Sequence, residues 1–110
     1  MARPDFKTYI GTFRTDGAGQ IFLTGILNVE AYNKVNVLII QSSQSPVNIA
    51  ASCLMGKLSG QTVSQVIARF PVDVEPKIQT FEVIGPEFSM TLVGGPPDTD
   101  VSIQAWVFIH

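Results

Sequence analysis

Catalysis by a hydroxyl or thiol nucleophile needs a base held beside it, most often histidine. The chain carries one histidine, His110, at its last position. A terminal side chain frays and holds no base to the tolerance that proton transfer requires, so no histidine-based mechanism is expected. Zinc needs three or four Cys, His or carboxylate ligands, and the sole cysteine, Cys53, cannot begin such a set. Cys53 falls on the apolar side of an alternating segment, where a free thiol behaves as a small hydrophobe. Two acidic arrangements remain. Asp98 and Asp100 follow Gly94-Gly95-Pro96-Pro97 and offer two carboxylates to calcium, although Asp is equally a turn residue, which is the plainer reading for both it and Asp16. Glu82 and Glu87 flank Gly85-Pro86 and would approach one another as a glycosidase pair does. Both fall on the polar side of their segments and read as solvated surface. The glycine–proline run lacks the lysine and helix start of a phosphate loop. A non-enzyme without a cofactor is therefore expected, with calcium at Asp98 and Asp100 as the one metal candidate.

The residues with the strongest claim to a function lie on the last segment, 100–109. Val101, Ile103, Ala105, Val107 and Ile109 alternate as an inward face, which turns Ser102, Gln104, Trp106 and Phe108 outward. Two large aromatics beside polar amides can stack on a sugar ring or seal a contact between subunits. Tyr9 and Phe13 share a face of the first segment, and first and last strands of a sandwich can be neighbours. The six residues Ser102, Gln104, Trp106, Phe108, Tyr9 and Phe13 are thus expected to form one patch. Three uses of it stay open: a second small core under a loop, a self-association surface, or a platform for a glycan or other partner.

The elements that would position these residues are short and extended. Segments 6–14, 20–24, 26–32, 35–42, 47–55, 77–84, 87–93 and 100–109 alternate or are rich in β-branched and aromatic residues. Turn signals separate most of them: Asp16-Gly17-Ala18-Gly19, Ser45-Pro46, Gly85-Pro86 and the double proline. In 35–42 both faces are apolar, which predicts a central strand covered on both sides. Segment 61–70 is ambiguous, because Val63, Val66, Ile67 and Phe70 have helical spacing while Val66, Ala68 and Phe70 alternate. About eight strands at this spacing predict an all-β, two-layer antiparallel β-sandwich, jelly-roll-like, with 61–70 as strand or short helix and a closed barrel as the competitor. The outline is similar to jelly-roll carbohydrate-binding modules in architecture, with no shared motif, and architecture alone assigns no function.

Composition bounds the rest. The 110 residues suit a single domain, 1–110, and 45% hydrophobic with 15% charged residues leaves sparse polar cover. That balance favours a homo-oligomer. Net charge is −2 and the basic residues are scattered singly, so no nucleic-acid partner is expected. No apolar run is long enough for a membrane helix and no leader precedes residue 6, which implies a cytoplasmic protein if the chain is complete. The expected function is a non-catalytic recognition or structural module acting by self-association or partner binding. A lectin-like carbohydrate-binding module is the alternative, with a carboxylate hydrolase behind it.

Overall fold

Alternation of apolar and polar residues commits most of this chain to strands with one dry face, and two sheets packed face to face satisfy it. The computed structural model describes residues 3–56 and 64–110. Eight strands run in chain order: β1 (Asp5–Arg14), β2 (Leu27–Asn28), β3 (Lys34–Gln41), β4 (Ala50–Gly56), β5 (Gln65–Pro71), β6 (Lys77–Glu82), β7 (Glu87–Val93) and β8 (Asp100–Ile109). One sheet has the order β1-β8-β3-β6 and the other β2-β7-β4-β5. All pairings are antiparallel. First strand pairs with last, second with seventh, third with sixth and fourth with fifth. This nesting is one long hairpin rolled into a two-layer sandwich, the jelly roll.

The core lies between the sheets. Val35, Val37 and Ile39 of β3 face it, with Ala51, Cys53 and Met55 of β4 and Phe88, Met90 and Leu92 of β7. The odd-numbered residues of β8 complete it, from Val101 to Ile109, as the alternation requires. Each of the larger aliphatics contributes about 1.5–3 kcal/mol by leaving water. Phe81 and Phe88 touch across the layers with ring centres 5.9 Å apart.

Three expectations need correction. Residues 20–24 form no strand and hold to β7 through a bridge between Ile21 and Leu92 and through Thr24, whose hydroxyl accepts the Met90 N–H at 2.9 Å. The strand expected over 26–32 shrinks to Leu27–Asn28, because the Asn28 side chain accepts the Glu30 N–H at 3.0 Å and turns the chain. β3 is central, but among the described residues no further layer covers its outer face, where Leu38 and Ile40 are half-buried.

The ambiguous segment is strand β5 from Gln65 onward, and residues 61–63 lie outside the described residues. Its mixed periodicity has a local cause. Cys53 pairs with Ala68 and Leu54 with Val66, so Ile67 is an extra residue in a β-bulge. Consecutive residues Ile67 and Ala68 then both pack against the core, and a strand acquires helix-like spacing.

The corner of the double proline is held by backbone contact with the Asp16–Gly19 turn. Asp16 Oδ1 accepts the N–H groups of Ala18 and Gln20, both at 2.9 Å. Gly95 N–H donates to Gly19 O at 3.1 Å and Asp98 N–H to Asp16 O at 3.1 Å. Thr15 is buried beneath, donating its hydroxyl to Pro96 O at 2.6 Å and accepting the Thr99 N–H at 2.8 Å.

Candidate recognition surface

Because opposed residues in an antiparallel pair share a face, the register of the β1-β8-β3-β6 sheet fixes what its outer surface carries. One cross-strand row is Phe6, Phe108, Asn36 and Thr80, and the next is Thr8, Trp106, Leu38 and Ile78. A third is Ile10, Gln104 and Ile40. Phe6 is 61% exposed, Ile10 56% and Ile78 70%, large values for apolar side chains lying side by side. Phe6 and Phe108 pack at 5.8 Å between ring centres, tilted by 48°. Phe108 stacks at 4.7 Å on His110, whose Nε2 lies 2.7 Å from Asn36 Nδ2. Phe6, Leu38, Ile78, Trp106 and Phe108 line a shallow, almost purely apolar hollow of about 300 Å³.

Charge is confined to the two ends of this face. Arg14 and Asp100 pair at 3.2 Å at one end, and Lys34 and Glu82 at 3.5 Å at the other. Exposed pairs of this kind contribute little to stability. Their effect here is to leave each end neutral and the middle without a formal charge.

Of the residues expected in one patch, Ser102, Gln104, Trp106 and Phe108 do share this outer face. Tyr9 and Phe13 do not. They pair with Ala105 and Val101, which face the core, and so lie on the inner side of β1. Burial there pushes the Tyr9 hydroxyl above its ordinary range. The other parity of β1 brings Phe6 and Ile10 to Trp106 instead, and Leu38 and Ile78 join from β3 and β6. Strand order supplied these neighbours, and alternation within single segments did not reveal it. No second layer forms a small core over this face among the described residues.

The carboxylate candidates are held apart or already engaged. Glu82 lies on the outer face of one sheet beside Lys34, whereas Glu87 opens β7 in the other sheet. Asp100 is paired with Arg14, and Asp98 sits in a left-handed turn with φ of 51°. Among the described residues, no three His, Cys, Asp or Glu side chains are grouped to hold a metal ion. No described helix is long and apolar enough to cross a membrane.

The described residues define a jelly-roll sandwich whose β1-β8-β3-β6 sheet has an apolar outer face. No protein-family model matches the sequence, and neither does any curated protein. The fold is similar to that of the Yersinia pseudotuberculosis-derived mitogen, with a TM-score of 0.61 and 15% identity over 98% of this chain and 88% of that one. It is similar also to a protein of the Bacillus endospore appendages, described as disulfide-linked pili (TM-score 0.59, 7% identity, 97% of this chain and 87% of that one). A third likeness is the SPBc2 prophage-derived protein YomS (TM-score 0.51, 16% identity, 98% and 96%). At such identities the likeness is one of fold.

Proposed function

We propose that this chain is a non-catalytic module that associates with further copies of itself through the outer face of the β1-β8-β3-β6 sheet. The observation that carries the reading is the contiguous group Phe6, Ile10, Leu38, Ile78, Trp106 and Phe108, exposed or half-exposed and free of formal charge. Water leaves such a surface when a like surface covers it, at about 25 cal/mol per Å² of apolar area. The ends suit a copy turned head to tail, since each presents a balanced ion pair and no like-charge clash arises. The appendage protein of similar fold gives this reading a precedent in assembly. A disulfide does not serve this chain as the link, because Cys53 has no exposed surface.

Strands of 10, 10, 8 and 6 residues, rising about 3.3 Å per residue and spaced about 4.8 Å, give the whole face roughly 540 Å². A stable interface takes about 800 Å² per partner, so face-to-face contact alone is weak and concentration-dependent. Sedimentation across a concentration series tests the reading. The double variant W106S/F108S is expected to weaken association at least tenfold without altering the far-ultraviolet circular dichroism. A chain that stays monomeric at millimolar concentration would overturn it. Glycan-array binding abolished by Trp106→Ala, in a chain that does not self-associate, would instead select the carbohydrate-binding alternative.

A further inference from the structure

The two sheets have four edges, and three of them are blunted. β2 is two residues long, β5 carries the bulge and ends at Pro71, and β6 is only six residues long. Short strands, bulges and prolines are how sheets prevent edge pairing. β1, although entered from Pro4, is neither short nor bulged. It runs ten residues without proline and pairs with β8 in unbroken register.

The hydrogen-bond directions of that edge follow from two contacts. Lys34 and His110 exchange both backbone bonds, at 2.7 and 3.0 Å, so even-numbered residues of β8 turn their N–H and C=O toward β3. Odd-numbered ones turn toward β1, in agreement with Thr15 N–H donating to Thr99 O at 2.9 Å. Opposite them Asp5, Lys7, Tyr9, Gly11 and Phe13 bond to β8. The backbone groups of Phe6, Thr8, Ile10, Thr12 and Arg14 therefore point out of the sheet.

We infer that this open edge pairs antiparallel with β1 of a second copy, across a two-fold axis at Ile10, joining two four-stranded sheets into one of eight. This deepens the proposed self-association and rests on it for the partner's identity. Across that axis Thr8 faces Thr12, Phe6 faces Arg14, Lys7 faces Phe13 and Tyr9 faces Gly11. Every outward N–H and C=O from Phe6 to Arg14 gains a partner. No like charges oppose, and Arg14 lies over an aromatic ring. Gly11 has open space above it, where the Tyr9 ring of the copy fits. The Ile10 side chains meet on the axis and extend the apolar face without interruption. Joined, two faces present about 1,100 Å², above the roughly 800 Å² per partner a stable contact needs.

Thr8→Pro removes one outward N–H and no bond to β8. It is expected to raise the dimer dissociation constant at least tenfold while leaving the circular dichroism unchanged. A nitroxide on Ile10→Cys is expected to show a spin–spin distance below about 20 Å, since antiparallel neighbours across the axis lie about 5.5 Å apart at Cα. The buried Cys53 leaves such labelling selective. Association unaffected by Thr8→Pro, with a label distance beyond 30 Å, would overturn edge pairing and leave the face-to-face reading standing. Dimers lost in Thr8→Pro but retained in W106S/F108S would uphold the edge and overturn the face. A wild-type chain monomeric at millimolar concentration would overturn both. If Thr8→Pro does not fold, the label distance alone decides.

Discussion

Cys53 lies on the inner side of β4, with Ala68 and Met90 opposite it on the two neighbouring strands. Burial pushes its thiol up from 9.0 to about 12. The folded chain thus keeps a proton that the unfolded chain releases from about pH 9 upward, so this contribution is complete below pH 9 and is lost as pH climbs from there toward 12. Its slope is at most about 1.4 kcal/mol per pH unit. Urea unfolding of Cys53→Ala is expected to show a shallower fall in stability over that window, and the wild-type thiol should react with a thiol reagent only after unfolding. An unchanged slope would show that other groups control alkaline unfolding. The burial of Cys53 was legible in the sequence, because a cysteine between alternating apolar residues has one place to go. Tyr9 and Phe13 were misread. They alternate with Phe6 and Ile10 in a strand whose two faces are both aromatic, so the pattern alone does not name the inner side.

Among the elements, the corners decide stability more than their loop-like sequences suggest. Gly19 has φ of +74°, and a Cβ there would stand against Gly95 O. Gly19→Ala combines backbone strain with a clash against main chain and is expected to cost roughly 2–4 kcal/mol, read from denaturant midpoints. A cost below about 0.5 kcal/mol would mean the two turns separate without penalty. Gln41 acts similarly at the end of β3, where its buried amide donates to Val47 O and Val72 O, both at 3.0 Å, and accepts the Val47 N–H at 2.6 Å. The turn residues around Asp16 and Pro96 announced corners in the sequence. That the two corners clasp each other was not legible, since some 75 residues separate them and nothing local records the contact. The bulge at Ile67 was hidden for a related reason, as an inserted residue imitates helical periodicity.

For the whole molecule, the nested pairing brings Asp5 to Ile109 and Arg14 to Asp100, so the sheet closes only when the ends of the chain meet. Such non-local pairing folds slowly, on the order of milliseconds to seconds. Refolding followed by the fluorescence of Trp106, which sits between β1 and β3, is expected in that range, and microsecond recovery would contradict it. The sequence by itself determined the all-β class, the inward face of β8 and the outward placement of Trp106 and Phe108, because alternation is written residue by residue and burial must obey it. Only the tertiary structure decided that Phe6, Ile10, Leu38 and Ile78 lie beside them, that no layer among the described residues covers them, and that β1 is an edge strand. Those facts depend on strand order, and strand order is set by contacts between residues far apart in the chain.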